Sequence, residues 1–309
     1  MNKKIPVLID CDGGVDSLWG LALAAASERI DLRAVTVCAG KEKPECAFEN
    51  AAAYAAALNL GCPLYKGSER SILLREKPVR KLNGPDGRLG ISLPSPVDYE
   101  CEYAWDAIYQ QAKKWDGELT LVFFGPMTNL AIALFKYEDL ASLIKKVLFV
   151  GGSYDFGNVS GVVEINMATD PEAARAVFRS KIPKMMVGFN AIRESALSEE
   201  QIQAIGGENR AGELFLQTSN GRKELLNRVC YGAALGMAAL IEPELISWVR
   251  YHLTIETRSS ICRGRTTPLN MYSPRGFEKD TDIAMSVNME GYMDLLKNAV
   301  AGMDVKEWT

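Results

Sequence analysis

Short apolar runs that stop at aspartate or glycine, each followed by a helical pattern, recur along the first two thirds of this 309-residue chain. Residues 6–9 read as a strand and 17–27 as a helix. Residues 32–37 are again strand-like, and 44–58 form an Ala-rich helix with Pro44 in its first turn, where the missing N–H costs nothing. Residues 119–124 and 146–150 repeat the strand signal, the first followed by a helix from about Met127, the second ending at Gly151-Gly152. Asp170 opens a helix over 171–178, and 185–187 are a further strand. A strand can be apolar throughout only when both its faces are covered. The alternation therefore predicts an α/β fold, with a mainly parallel central sheet flanked by helices. From about Ser198 to Ile241 the pattern is helical; WVRYHLTIET and TDIAMSVNM then look like strands and 291–301 like a closing helix. No composition break or internal repeat divides the chain, so residues 1–309 are expected to form a single domain.

Composition excludes several function classes. A net charge of −4 without a basic block argues against nucleic acid as a partner. No apolar run approaches the roughly 18 residues of a membrane span, and MNKKIPVLID enters a strand pattern at once, leaving no room for a signal peptide. The seven cysteines are odd in number, scattered and free of any C-x-x-C pair, which suits reduced thiols in a cytoplasm rather than a disulfide frame or a zinc site.

The chemistry gathers where the first strand ends. VLIDCDGGVDS places Asp10, Asp12 and Asp16 within seven residues, around Gly13 and Gly14. Carboxylates this close repel unless a cation joins them or one keeps its proton. An ordinary helix cap explains Asp16 and leaves the other two unexplained. In an open parallel sheet, ligands sit beyond the carboxyl ends of the strands. Asp10 and Asp12, Lys41, Phe124-Gly125 and the polar stretch 151–166 all fall at such ends. Residues 66–100, rich in Gly and Pro and including Pro78, form a loop long enough to serve a site.

Two family resemblances bear on the cluster. The opening stretch is similar to the first motif of haloacid-dehalogenase-type phosphatases, in which the first Asp is a nucleophile; that likeness covers about a dozen residues, and no acidic pair for magnesium follows downstream. DCDGGVDS also resembles the Asp-x-Asp-Pro-Gly-x-Asp-Asp motif of inosine–uridine-preferring nucleoside hydrolases, and here the likeness continues. AVTVCAGKEKPECAFENA, NGPDGRLG, LVFFGPMTNLAIAL and VGGSYDFGNVSGVVEINMATDPEAARAVF match successive segments of that family in order, and MAALIEPELI and HLTIETRSSICRGRT fit its C-terminal part.

This second resemblance implies a Rossmann-like open sheet, and hydrolysis of the N-glycosidic bond of a ribonucleoside to ribose and free base. It also implies a calcium ion holding the nucleophilic water and the ribose hydroxyls, no organic cofactor, and a homodimer or homotetramer. By position, Asp12 matches the general base and metal ligand, Asp10 its neighbour, and Asp16 an acceptor for ribose hydroxyls. Phe124 matches a carbonyl ligand of the ion, and Val150, Asn158, Glu164 and Asn166 match residues lining the ribose. Four departures cluster on the metal and the leaving group. Ser17 stands in place of a principal calcium carboxylate, and Gly232-Ala233 in place of a His-Asp pair. Asn83 stands in place of a loop histidine, and Lys41 in place of an asparagine. Calcium needs six to eight oxygens and several carboxylates, so the ion is expected to be weakly held or absent. Lys41 is then a candidate counter-charge for the aspartates, against the plain reading of a solvated lysine in KEKPE. His252, the chain's one histidine, sits in a strand-like run and is read as structural. A non-catalytic binder of ribose or nucleosides is the alternative to an enzyme.

Overall fold

In the computed structural model, residues 3–74, 83–269 and 278–303 are described; Pro78 lies outside them. The elements are β1 (Ile5–Cys11), α1 (Val15–Ala26), β2 (Ile30–Val37), α2 (Pro44–Ala57), β3 (Leu64–Lys66), α3 (Ala104–Trp115), β4 (Leu119–Phe123), α4 (Thr128–Lys136), β5 (Ile144–Val150), α5 (Ile165–Thr169), α6 (Pro171–Arg179), β6 (Lys184–Val187), α7 (Phe189–Glu194), α8 (Glu199–Ile205), α9 (Arg210–Leu226), α10 (Gly232–Ile241), β7 (Ile246–Ile255), β8 (Thr266–Leu269), β9 (Thr281–Val287) and α11 (Met289–Gly302).

Nine strands form one sheet in the order β3-β2-β1-β4-β5-β6-β9-β7-β8. From β3 to β9 all pairs are parallel; β7 runs antiparallel to β9, and β8 to β7. The parallel strands explain the continuous apolar runs. Val7, Ile9, Val35, Val122 and Leu148 pack beneath one helical layer, and Leu8, Leu121, Phe123, Val147 and Phe149 beneath the other. Alternate residues of a strand therefore feed two separate cores. β1 lies between β2 and β4, third of the nine strands and at the point where the strand order reverses, so its carboxyl end opens at the switch point of the sheet. That is where a parallel sheet of this kind binds ligands.

The helical stretch expected over 198–241 divides into three. α8 stops at Gly206, and α9 stops at Asn227, whose left-handed φ of 51° caps it. α10 then starts again at Gly232, fully buried along its length. α1 and α10 meet closely because residue 20 is glycine: a Cβ there would lie 2.6 Å from the Phe124 ring and 2.8 Å from the Ala233 side chain. This contact sets the first turns of α1 and α10 side by side, beside the end of β4.

Candidate active site

A cavity of about 460 Å³ opens at that edge. Its floor carries Asp16, Lys41 and Phe124; one wall is formed by Val150, Asn158, Glu164 and Asn166; Asn83 closes a rim. Arg222, Arg228, Cys230 and Gly232 complete the lining described here, Gly232 lying against Val150. Asp10, Asp12 and Ser17 do not line it.

The opening aspartates thus have three different environments. Asp10, at the end of β1, is fully buried. Its Oδ2 accepts hydrogen bonds from Thr36 Oγ1 at 2.6 Å and Asn129 Nδ2 at 2.7 Å. Burial raises its pKa to about 7 despite those two bonds, and neighbouring Asp12 adds to the rise. Asp12 is also buried. Its Oδ1 takes the Gly14 N–H at 3.2 Å and the Ser17 hydroxyl at 3.1 Å, and its Oδ2 is ion-paired with the Lys41 ammonium. Asp16, in the first turn of α1, faces the cavity. Its Oδ2 accepts the Ala233 N–H at 3.0 Å, joining α1 to the start of α10, and its Oδ1 lies 3.6 Å from Arg222 Nη2. Burial raises the Asp16 pKa, with Arg222, Lys41 and the Ala233 N–H pulling against it.

Gly13 makes this loop possible. Its φ is +67°, and a Cβ there would lie 2.1 Å from the Ala47 carbonyl oxygen. Proline, the residue that the resembled motif carries at this position, cannot take that angle. Lys41 reaches the loop from beyond β2, and its side chain is only 9% exposed. Burial pulls its pKa down, but the charge and hydrogen bond of Asp12, with Asp16 and Glu42 adding to them, hold it above the ordinary lysine value. The ammonium is therefore a fixed positive charge, and the reading of Lys41 as a solvated loop lysine does not hold.

The wall from Val150 to Asn166 is built locally. Glu164 caps α5: its Oε2 accepts the N–H groups of Gly152, Asn166 and Met167 at 2.8, 3.0 and 3.2 Å. Burial nevertheless raises the Glu164 pKa above the usual carboxylate value. Asn158 accepts the Ile165 N–H at 2.9 Å, and Asn166 donates its amide to the carbonyls of Phe124 at 3.0 Å and Val150 at 2.8 Å. Asn83 donates to Glu42 at 2.8 Å, which brings the described part of the long loop over the site.

Residues 7–294 match the family model described as inosine-uridine preferring nucleoside hydrolase. The chain belongs to this family. It is 29% identical to the pyrimidine-specific ribonucleoside hydrolase RihA of Enterobacter sp. (strain 638), over 98% of this chain and 99% of that protein. It is 27% identical to the pyrimidine-specific ribonucleoside hydrolase RihB of Escherichia coli (strain SE11), over 97% of this chain and 98% of that one. The solved structure of a purine-preferring ribonucleoside hydrolase from Gardnerella vaginalis superposes with a TM-score of 0.88 at 25% identity, covering 96% of this chain and 98% of the other.

Family membership removes the phosphatase reading, and the geometry gives the reason. Asp10, its nucleophile, is sealed beneath the sheet edge and hydrogen-bonded to Thr36 and Asn129. The calcium implied for the hydrolases meets a donor set that does not fit it. Among the described residues no group of three or more His, Cys, Asp or Glu side chains could hold a metal. The Phe124 carbonyl, expected as a ligand, receives an Asn166 N–H; with two carbonyls as partners, that atom must be the amide nitrogen. Ser17 spends its hydroxyl on Asp12, and Ala233 offers a backbone N–H where a carboxylate is implied. Hydrogen-bond donors stand where a cation needs acceptors.

One further sequence reading lies away from the cavity, and one lining residue was not read from the sequence. His252 lies on β7, 3.5 Å from Asp280, and is not among the lining residues. Arg222, unmarked in the sequence, is. It comes from the last turns of α9 and is nearly buried. Its Nη1 donates to the Cys230 carbonyl at 2.8 Å, and its guanidinium lies 4.9 Å from the centre of the Tyr231 ring. The Tyr231 hydroxyl is taken by Thr218 and Ser219 at 3.1 and 3.0 Å, so it is no free acid for a leaving base.

Proposed function

We propose that this cavity hydrolyses the N-glycosidic bond of a ribonucleoside, and that its residues do so with altered metal dependence. The observation that carries the reading is the convergence of Asp16, Asn158, Glu164 and Asn166 on one cavity at the sheet's carboxyl edge. A polyhydroxylated sugar needs such a mixture of acceptors and donors around it. Asp16 Oδ1 is buried without a hydrogen-bond partner among the described residues, an acceptor suited to a ribose hydroxyl. Val150, Asn158, Glu164 and Asn166 line the sugar, Phe124 lies below it, and Asn83 approaches from the rim.

Cleavage breaks the C1′–N bond, and its electron pair leaves with the base. The positive charge that develops on the sugar is stabilised by nearby carboxylates. Water supplies the new C1′–O bond. Asp12 is the proposed acceptor of the water proton; its Oδ2 keeps lone-pair capacity beside the Lys41 ammonium, and catalytic contacts tighten when substrate binds. Asp10, fully buried at the end of β1, is proposed to support Asp12 as its neighbour in the cluster.

Base preference remains open to experiment, since the relatives named above divide between pyrimidine and purine nucleosides. The test is product analysis with a nucleoside panel and p-nitrophenyl riboside, measuring ribose and base released. Release of ribose supports the enzyme; saturable binding without release would establish the non-catalytic binder instead. A cytoplasmic location is proposed from the free cysteines; no described helix is long and apolar enough to cross a membrane. A homodimer or homotetramer is proposed in line with exposed Leu74, Tyr103 and Phe135, which border one shallow surface depression; light scattering in solution tests it.

A further inference from the structure

We propose that two side chains supply the positive charge which a divalent ion would bring to this site: Lys41, pinned on Asp12, and Arg222, set against Asp16. The proposal rests on the hydrolase reading of the cavity and names how its charge is balanced.

Four observations converge on it. The carboxylate nearest the implied ion already has a cation, since Asp12 Oδ2 is paired with Lys41. The second carboxylate has its own, with Arg222 Nη2 at 3.6 Å from Asp16 Oδ1. Both cations are nearly buried and both line the same cavity. The remaining positions carry donors in place of ligands: the Asn166 amide on the Phe124 and Val150 carbonyls, and the Ala233 N–H on Asp16. A calcium ion entering here would meet ammonium, guanidinium and amide hydrogens at close range. Charge repulsion and the loss of those bonds both oppose it.

The two cations are assigned different parts of the reaction. Lys41 is beside Asp12, where the attacking water and sugar hydroxyls are expected; of its three ammonium hydrogens one is spent on Asp12 and two can hold one of each. Arg222, which also lines the cavity, is held by the Cys230 carbonyl and the Tyr231 ring, with Asn83 Oδ1 3.5 Å from its Nη2. Its Nε is buried with no hydrogen-bond partner among the described residues, a donor available to a ligand. A guanidinium does not give up its proton near neutrality. Arg222 therefore stabilises the departing base by charge and hydrogen bonding, and the base takes its proton from solvent. The C1′–N electron pair goes to the base, the water oxygen to C1′, and the water proton to Asp12, so the step balances without a redox partner. The substrate class that follows is a riboside whose leaving group can depart as an anion.

The test has a binding arm and a kinetic arm, both on the full chain. Calorimetry and thermal melts with calcium chloride or with EDTA should show no calcium binding and no change in Tm. Turnover of a cleaved riboside should be the same in both solutions. Lys41→Met should lose about 10²-fold or more in kcat, a loss typical of removing one oriented charge donor, and added calcium should not restore it. Lys41→Arg, which keeps the charge, should retain more. Arg222→Met should slow ribosides with poor leaving groups far more than p-nitrophenyl riboside, steepening the dependence of rate on leaving-group pKa; Arg222→Lys should recover part of that loss. Calcium binding with a raised Tm in the unmutated protein would overturn the proposal, as would Lys41→Met and Arg222→Met variants with unchanged rates. If no riboside is cleaved in any solution, the hydrolase reading fails by itself, while the calcium arm still reports whether the cations exclude the metal.

Discussion

The two sides of the cavity are built on different plans. The sugar wall is made from neighbours in sequence: Glu164 holds Gly152, Asn166 and Met167, and Asn158 holds Ile165, all within one stretch after β5. The charged side is made from partners far apart in the chain: Lys41 on Asp12, Ala233 on Asp16, and Arg222 between Asp16 and Cys230. The first side is a scaffold of backbone hydrogen bonds that happens to present polar atoms. The second is a set of paired charges whose positions depend on three helices and three loops. A scaffold should tolerate conservative changes, whereas paired buried charges should not, because removing one leaves the other uncompensated.

The largest expected effect is therefore at Asp12. Asp12→Asn should lower kcat by about 10²–10⁴-fold, the usual worth of a general base. It should also destabilise the fold by about 3–5 kcal/mol, because Lys41 is left buried without its partner. Adding Lys41→Met to Asp12→Asn should restore most of the stability and none of the activity. Chemical denaturation of the single and double variants measures the first effect, and steady-state kinetics the second. A single variant as stable as the unmutated protein would show that the pair is not coupled, and the contrast between the two sides would lose its basis.

Next in size is the pH dependence set by Asp10. In the fold its pKa is about 7, whereas in an unfolded chain an aspartate ionises near pH 4 (about 3.9). Between those values the folded chain holds a proton that the unfolded chain has lost. Stability from this group therefore falls as pH rises from about 4 to about 7, and the cost is complete above that window. Asp10→Asn keeps an acceptor for Thr36 and Asn129 and cannot ionise. It should flatten that part of the stability profile and exceed the unmutated protein by about 1–3 kcal/mol at pH 8. Urea melts at pH 4, 6 and 8 decide it; a profile equally steep in both proteins would place the titration elsewhere.

The same contrast explains what could be read from the sequence. The parallel sheet was legible because strands such as β1 and β5 carry unbroken apolar runs, residues 6–9 and 147–150, that are buried on both faces. The convergence of Val150, Asn158, Glu164 and Asn166, proposed to line the sugar, was legible because these residues lie together in one segment. Helix α3 was not singled out, and β3 and β8 span only three and four residues, too few for a pattern to emerge. Arg222 carried no signal at all. It is one basic residue in GRKELL, and it meets Asp16, far away in the chain, only through the tertiary packing of α9 beside α1. Lys41 could be suspected from its place at a strand end, but its pairing depends on the positive φ of Gly13, which reshapes the aspartate loop. Local hydrogen bonding leaves a trace in neighbouring letters; a charge pair closed across most of the chain does not.

The smallest effect is expected on the scaffold side and tests it most directly. In Glu164→Gln the amide oxygen can still accept the N–H groups of Gly152, Asn166 and Met167, which converge on one oxygen, Oε2. What is lost is the charge on that acceptor, and burial already works against the charged form here. The cost to stability should be about 1 kcal/mol or less, with kcat close to that of the unmutated protein and a modest rise in KM for the riboside. Glu164→Ala removes the acceptor altogether and leaves three N–H groups at the start of α5 without it, so its loss should be greater, about 1–3 kcal/mol. Paired thermal melts and kinetics on the two variants separate the roles. A Gln variant with intact stability but kcat reduced as far as in Asp12→Asn would mean that the Glu164 charge itself acts on the developing ribosyl cation. The sugar wall would then belong with the charged side, and the division of the cavity into a scaffold and a set of paired charges would have to be redrawn.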